Sequence, residues 1–338
     1  MLPPDAMHDL LEGFRPILTP LLKDLKLLED TGINIAGISG KVRGSLVSIV
    51  GDNLALHEIG GYTTIFSSST GRLCRFCMAT YNTMESNFKE KYFTRRTKQT
   101  HERQINLINV DNSYMNLYGL KFNSPMNDLR YFHTSTMLPP DAMHDLFEGI
   151  VPLELALIIS SLIKSKFISL PLLNRRIRSL KFGFNDKPNR PYELKVNFAK
   201  GIQMPASRMW FLLRFLPLMI GIFVPENEIV WEFLLILKDI VDIILSPVIN
   251  TDYVSLLKDL IYEHHTMFTQ IFKETKLKPK HHFLVHYPRL ILEFGPLVHL
   301  WSMRFEAKHF KRVAQVSKNT KKFTSYISTK APIATTLL

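Results

Sequence analysis

An aspartate and a histidine three positions apart, Asp141 and His144, have a spacing that points to chemistry. On a helix, this D-x-x-H spacing puts a carboxylate and an imidazole on one face, one turn apart. The thirteen residues 137–149 that contain them recur at 1–13 with a single difference. The match then stops, whereas a tandem repeat continues over ~20–50 residues. We therefore interpret 1–13 as a stray copy of the 137–149 motif, and Asp141 with His144 as the original.

The two cysteines of the chain, Cys74 and Cys77, have the C-x-x-C spacing with which two thiolates form half of a tetrahedral zinc site. The other half has to come from a distant part of the chain. Two histidine pairs, His281 with His286 and His282 with His286, have the spacing that zinc sites use. The alternative is a pair of buried cysteines and a set of ordinary surface histidines.

Two further carboxylates, Asp52 and Glu306, are candidates for metal chemistry. Asp52 follows residues 42–50, whose valine, isoleucine and serine content predicts a β-strand, and carboxylates at strand ends often hold metals in α/β folds. Taken by itself, the position of Asp52 favours a role as the cap of the short helix that follows it. Glu306 lies on a predicted helix beside Arg304, so it could instead be an exposed glutamate in a salt bridge.

Helical periodicity dominates the elements that must position these residues. An amphipathic helix is predicted at 15–30, where Thr31-Gly32 ends it, and a short helix at 54–59. Beyond residue 139 we predict helices at 143–163, 207–222, 228–245, 253–272, 282–294 and 297–313. Residues 84–136 are polar and irregular, which predicts an insertion or a connector.

The charge balance is basic: 42 Lys and Arg face 30 Asp and Glu, a net charge of +12. Such an excess is typical of a polyanion-binding protein, although charge alone does not choose between DNA, RNA, a membrane surface and no such partner. A hydrophobic fraction of 46% predicts a folded chain.

Cysteine usage and hydropathy indicate where the protein works. Two cysteines exclude a disulfide framework and favour the interior of a cell. We expect no signal peptide, because Asp5 and Asp9 interrupt the N-terminal stretch. The most apolar segment, 231–249, contains Lys238 and two aspartates, so a buried helix is favoured over a membrane span of ~20 apolar residues.

Four motifs in a fixed order make this sequence resemble a known family. They are GDNLALHEIGGY, LCRFCMATY, PPDAMHDLFEGIVPLEL and PKHHFLVHYPRLILEFGPLVHLWSMRFEAKHFKR. In this order they resemble transposase-derived proteins related to CACTA (En/Spm-type) DNA transposons, over roughly residues 15–315.

The resemblance implies a ribonuclease H-like core with two catalytic aspartates and a glutamate. By this resemblance Asp52 matches the second aspartate and Glu306 the final glutamate. Asp141 and His144 match the D-x-x-H signature between them. Such enzymes transfer polynucleotides with two Mg²⁺ ions about 3.5–4 Å apart, which carboxylate oxygens hold.

The resemblance also implies one zinc site, since related zinc-bearing transposases have a C-x-x-C motif before a histidine pair. The implied ligands are Cys74, Cys77, His282 and His286, with His281 as the alternate for the third position.

One part of the family pattern is missing. The first three strands and the first catalytic aspartate of such a core precede its first helix, which begins here at about residue 15. Only Asp5 stands in that space. We therefore expect an N-terminally truncated remnant that does not cut DNA.

Together these observations predict an α+β, mostly α fold: an incomplete ribonuclease H-like core with a large α-helical remainder. The predicted divisions are 1–13 (stray copy), 14–83 (partial core), 84–136 (polar insertion), 137–315 (helical region completing the core) and 316–338 (frayed basic tail).

The predicted function is that of an inactive transposase fragment that retains DNA binding. We expect structural Zn²⁺, Mg²⁺ only if the chain is catalytic, DNA as a partner, no membrane, and a nuclear or otherwise intracellular location. The alternatives are a domesticated non-catalytic DNA-binding or scaffold protein and a helical protein-interaction module, and formation of a homo-oligomer stays open.

Overall fold

The computed structural model describes residues 15–67, 71–184, 186–195, 198 and 201–306. Within them the fold is mostly helical, which confirms the α+β, mostly α prediction. The helices are α1 (Arg15–Asp30), α2 (Asn53–Gly60), α3 (Tyr81–Ser86), α4 (Lys98–Val110), α5 (Tyr114–Tyr118), α6 (Val151–Lys164), α7 (Leu170–Ser179), α8 (Ala206–Ile220), α9 (Ile229–Ile244), α10 (Thr251–Ile271), α11 (Pro279–Leu284) and α12 (Tyr287–Phe294). A π-helix (Met143–Ile150) runs into α6, and 3₁₀ turns lie at Glu90–Tyr92, Pro125–Asp128, Lys187–Asn189, Gly221–Phe223 and Leu297–His299. The predicted stray copy at 1–13 and the predicted tail at 316–338 lie outside the described residues.

The only sheet in the described ranges has two short antiparallel strands, β1 (Ile33–Asn34) and β2 (Lys41–Val42). The prediction of a strand over residues 42–50 is wrong beyond Val42. No neighbouring strand pairs with this segment in the part of the chain described, and its backbone bonds elsewhere: Gly44 N–H donates to Leu28 O (3.3 Å) and Ile49 N–H to Met137 O (3.2 Å). β-propensity without a partner strand therefore left the segment irregular.

Residues 84–136 form several helices, so the prediction that this polar segment is irregular is also wrong. α4 begins after Thr97, whose hydroxyl accepts a hydrogen bond from Thr100 N–H. Its inner face buries His101, Ile105 and Ile108, and the two isoleucines belong to a hydrophobic cluster shared with α1 and α2. One histidine and two isoleucines gave too weak an apolar period to be seen in the sequence.

The main hydrophobic core lies among the helices after residue 139 and reaches back to the C-x-x-C segment. α9 and α10 pack against each other, and α6 and α8 pack on the π-helix. The predicted helices at 143–163, 207–222, 228–245 and 253–272 are confirmed to within two residues at either end, the first as the π-helix continuing into α6. α7 was not predicted. The helix predicted at 282–294 is divided between α11 and α12.

The π-helix and α6 form one continuous rod, and Pro152 explains its wider turns. Proline has no N–H to donate to the carbonyl oxygen four residues earlier, on Glu148. Lys280 supplies the donor instead: its Nζ bonds the carbonyl oxygens of His144 (2.6 Å) and Glu148 (3.3 Å). Gly149 provides the space for the Lys280 side chain, since a Cβ at that position would clash with it.

Two segments, Met143–Lys164 and Ala206–Phe223, are long and apolar enough to cross a membrane by length and composition alone. Both belong to the large hydrophobic core, and the first buries two carboxylates, Asp145 and Glu154, against other helices. These are the features of core helices in a globular domain, and neither segment points to a membrane protein.

Two leucines of α9 provide a test of where the core lies. Leu237 is fully buried, whereas Leu235 is 39% exposed. Leu237→Ala should lower the free energy of unfolding by ~2–5 kcal/mol, because truncation leaves a cavity. Leu235→Ala should change it by less than ~1 kcal/mol. Equal losses in urea denaturation would contradict this packing.

Candidate metal centre

Cys74, Cys77, His282 and His286 converge at one buried point, although 205 and 212 residues separate the contacting pairs. Sγ of Cys77 lies 3.2 Å from Nε2 of His282, and Sγ of Cys74 lies 3.6 Å from Nε2 of His286. The two Nε2 atoms are 3.2 Å apart, and all four donor atoms lie within 4.8 Å of one another. The grouping implied by the resemblance is therefore confirmed as a cluster that could hold a metal ion.

The cysteines lie on a tight turn that backbone hydrogen bonds hold in place. Cys77 forms a β-bridge with Arg95, and Arg96 N–H donates to Phe76 O (3.0 Å). The buried guanidinium of Arg96 also donates to the carbonyl oxygen of Cys74 (3.0 Å). Phe76 N–H donates to Sγ of Cys74 (3.3 Å), a contact that stabilises a thiolate.

Arg75, between the two cysteines, joins their turn to the segment before the π-helix. Its guanidinium is buried and donates to Leu138 O (3.2 Å), Pro139 O (3.0 Å) and Oδ1 of Asn53 (2.7 Å). Asn53 donates in turn to the buried carboxylate of Asp145 (2.5 Å). The C-x-x-C turn and the D-x-x-H segment are thus one hydrogen-bonded unit.

The two histidine ligands stand on either side of a break between α11 and α12. The prediction of one continuous helix at 282–294 is wrong because Pro288, in the first turn of α12, cannot donate a backbone hydrogen bond. The four-residue spacing of His282 and His286 still places both imidazoles on one side of the chain.

The two residues before His282 fix α11 on the rod. Lys280 bonds the π-helix carbonyl oxygens, and Nε2 of His281 lies 2.9 Å from Oε1 of Glu154 in α6. Nδ1 of His281 accepts from Lys278 N–H (2.9 Å), so the proton of this imidazole is on Nε2 and points to Glu154. Both nitrogens of His281 are therefore engaged away from the cluster, and the alternate third ligand is wrong.

Glu154 is the centre of a buried hydrogen-bond network. Burial alone would raise its pKa, but His264 (Nε2–Oε2 2.9 Å) and His281 lower it to about 2. His265 donates from Nε2 to His281 O (2.8 Å), and the Nδ1 atoms of His264 and His265 are 3.0 Å apart. Burial keeps the pKa of His265 well below its usual value.

The two thiols differ in acidity. Burial would raise the pKa of Cys74, but the hydrogen bond with Cys77 and the charges of His286 and His282 lower it well below its usual value. Burial, with the Cys74 hydrogen bond and charge, raises the pKa of Cys77 well above its usual value. Metal ligation requires deprotonated sulfur, so a bound cation would favour the thiolate form of both cysteines.

Glu90 orients His286 for metal binding. Oε1 of Glu90 accepts from Nδ1 of His286 (2.8 Å) and from Nε of Arg289 (2.7 Å). Nε2 is thereby left facing the sulfurs, and a carboxylate behind the ligating histidine is the usual support in zinc sites. His282 has packing instead: Phe93 stands edge-on to its ring at 4.6 Å, and its Nδ1 has no hydrogen-bond partner among the described residues.

A second cluster surrounds the buried carboxylate of Asp141. Its Oδ2 lies 2.5 Å from Nδ1 of His144 and accepts from the Ser302 hydroxyl at 2.5 Å, while its Oδ1 accepts from Ser302 N–H (3.0 Å). Glu306 Oε1 lies 3.4 Å from Nε2 of His144. The structure thus brings Asp141, His144 and Glu306 together, and Ser302 is an unforeseen member.

Asp52 has a different contact. Its Oδ1 accepts from Ala55 N–H (2.7 Å), so it is the N-cap of α2, as the alternative interpretation had it. Across the ranges that the structure covers, the Cys₂His₂ cluster is the only group of three or more His, Cys, Asp or Glu side chains placed to hold a metal. Asp52, Asp141 and Glu306 form no such group there, and their catalytic assignment stays a prediction.

Sequence reasoning missed the side chains that support these sites, namely Arg75, Arg96, Glu90, Glu154 and Ser302. Glu154 had a usable signal: it is the single acidic residue within the apolar run 151–163. A carboxylate in such a run has to find a partner when buried. Glu90 and Arg96 lie in polar stretches of the sequence and had no such signal.

Comparison with known proteins leaves the function to be inferred from these residues. The sequence matches no model of a known protein family and no curated protein.

The Asp141–His144 pair predicts a pH dependence. Although burial opposes both shifts, Asp141 and the nearby Glu148 and Glu306 raise the pKa of His144, and His144 with Ser302 lowers the pKa of Asp141. The pair's contribution is complete between about pH 4 and 6.5, and is lost above as His144 deprotonates and below as Asp141 protonates. The melting-temperature difference between the wild type and His144→Gln should be largest in this window. An equal difference at all pH values, or the same window for the exposed control His299→Gln, would contradict the pairing.

Proposed function

We propose that this chain is a transposase-derived protein related to CACTA-type DNA transposons, in which structural zinc stabilises the fold and a basic surface binds DNA without cutting it. The observation that carries the proposal is the buried Cys₂His₂ cluster, whose donor atoms come from two distant motifs of that family pattern. An incomplete ribonuclease H-like core at 14–83 is part of the proposal. Its support is the motif order, since regular strands described there are limited to β1 and β2.

Zinc is the proposed ion because of the donor set. Two thiolates and two imidazoles suit a borderline-soft cation in tetrahedral geometry, whereas Mg²⁺ requires oxygen ligands. All four residues are buried, so the site is closed, as structural zinc sites are. The ion would bridge the C-x-x-C turn and the α11–α12 break, contributing folding energy rather than chemistry.

DNA is the proposed partner because of charge. The net charge is +12, and the exposed side chains of Lys91 and Lys98 have no ion-pair partner in the described part of the chain. Lysines of this kind release condensed counterions when they meet phosphates, which favours binding without sequence preference. A nuclear location follows from this partner.

The absence of strand cleavage is proposed from the environment of the carboxylates. Asp52 caps a helix through Oδ1, and Asp141 is saturated by hydrogen bonds from His144 and Ser302. Two-metal catalysis needs carboxylates that converge on both ions. The Mg²⁺ of the family would lack such a set among the residues described.

A second candidate is a helical protein-interaction or self-association module. Ile17 of α1 is 72% exposed and Val47 is 69% exposed, with Leu21 also outward. Exposed apolar residues of this kind mark interaction surfaces when they are contiguous. This alternative expects no salt-dependent affinity for DNA, so the titration described below distinguishes the two.

Metal analysis tests the zinc site. Purified protein should contain one zinc per chain. Cys74→Ser/Cys77→Ser should lose the metal and melt at a lower temperature, because a closed site contributes folding energy. The control His299→Asn, which alters an exposed histidine, should keep the zinc and the wild-type melting temperature. Equal zinc in the double serine variant and the wild type would rule out these ligands.

DNA titration and incubation test the rest of the function. Affinity for duplex DNA of any sequence should fall steeply between ~50 and 200 mM salt. Plasmid DNA should remain uncut in Mg²⁺ and in Mn²⁺. Nicking that disappears in Asp52→Ala or Glu306→Ala would overturn the inactive assignment, and salt-independent or absent binding would overturn DNA as the partner.

A further inference from the structure

A cavity of about 540 Å³ lies beside the metal centre, between residues 88–95, the first half of α10 and α12. This volume is within the range of small-molecule sites, ~300–1,000 Å³. Glu90 and Phe93 belong to both features: Glu90 orients His286, and Phe93 packs on His282. The metal centre therefore builds one wall of the cavity.

Positive charge dominates the rim. Five cations line the cavity: Lys89, Lys91, Arg95, Lys258 and Arg289. The lining carboxylate, Glu90, is already bonded to His286 and Arg289, and Glu293 pairs with Arg95 (2.5 Å) and Arg289 (2.7 Å).

The three lysines of the rim, Lys89, Lys91 and Lys258, differ from the two arginines in having no carboxylate partner among the described residues. Lys89 is held with its Nζ 3.9 Å from the centre of the Tyr262 ring, and Lys91 and Lys258 are exposed. An anionic group with several acceptor oxygens complements such a rim.

The wall below the lysines is apolar and fixed in place. It includes Phe88, Phe93, Ile261, Pro288 and Leu292. The ring of Phe88 packs edge-on against His265 at 5.6 Å, and that of Phe93 against His282 at 4.6 Å. Because neighbouring rings hold these aromatics, the wall offers a preformed surface to a flat apolar group.

We propose that this cavity binds one unstacked nucleotide, with its phosphate on Lys89, Lys91 and Lys258 and its base on the apolar wall. Base–aromatic contact beneath a basic rim is the general chemistry of single-strand binding. A base stacked in a duplex cannot enter, so the source is a free mononucleotide or a single-stranded end of DNA. The single-strand source rests on the proposed DNA-binding function, and the free-nucleotide source does not.

The test measures affinity for deoxyadenosine monophosphate, inorganic phosphate, a short single-stranded oligonucleotide and a duplex. Lys91→Ala/Lys258→Ala should weaken binding of the mononucleotide and the single strand by roughly tenfold or more, since contacts to a charged group are lost. The control Lys23→Ala/Lys164→Ala removes the same charge from exposed lysines that do not line the cavity.

A second variant changes shape and leaves charge alone. Ser255 is exposed and lines the cavity, so Ser255→Trp should block it and abolish mononucleotide binding while duplex binding remains. Ser165→Trp, at an exposed position at the end of α6, is the matched control.

The outcomes separate the two proposals. Duplex binding without any mononucleotide binding overturns the nucleotide site and leaves the proposed function standing. Mononucleotide binding that Ser255→Trp abolishes, without duplex binding, supports the site and overturns the proposed function. Equal losses in the cavity and control variants, inorganic phosphate binding as tightly as the nucleotide, or an acidic peptide displacing the nucleotide with equal affinity would each overturn the nucleotide site.

Discussion

The position of His282 depends on the buried hydrogen bonds between Glu154 and two neighbouring histidines. A carboxylate inside an apolar helix is tolerable only when fully paired, and Glu154 finds His264 in α10 and His281 in α11. That requirement fixes α11 against α6, and Lys280 adds a second attachment to the π-helix. The next side chain, His282, is thereby presented to the cysteines before any metal binds.

The opposite half of the centre has its own support. Arg75 and Arg96 are buried cations, and their guanidinium groups satisfy backbone carbonyl oxygens of the C-x-x-C turn and of the segment that precedes the π-helix. Such cations are costly to bury unless they are fully hydrogen-bonded, so the turn cannot move without exposing them. The centre consequently lies where the C-x-x-C turn meets the segment that Glu154 and Lys280 fix, and an ion would close that junction.

Sequence alone predicted the helices with strong apolar periods, and spacing with the family order predicted the four ligands. Prediction from the sequence was wrong where the outcome depended on contacts with residues distant in the chain. The residues after Val42 have β-propensity and no strand to pair with, and α4 buries too few apolar side chains to show a period. His281 and His282 were indistinguishable by spacing, since the choice between them is made by Glu154, more than a hundred residues away. Pro288 was a sequence signal for the break after His286, but the apolar periodicity favoured a continuous helix.

The most direct test of the central claim, that two sulfurs and two imidazole nitrogens hold one zinc ion, is zinc K-edge X-ray absorption on the purified protein. A first shell of two sulfurs at ~2.3 Å and two nitrogens at ~2.0 Å is the predicted result, because Cys₂His₂ zinc is tetrahedral with these bond lengths. His281→Asn should leave this shell unchanged, whereas His282→Asn should remove one nitrogen. A shell of oxygen and nitrogen only, or loss of a nitrogen in His281→Asn with none in His282→Asn, would contradict the account.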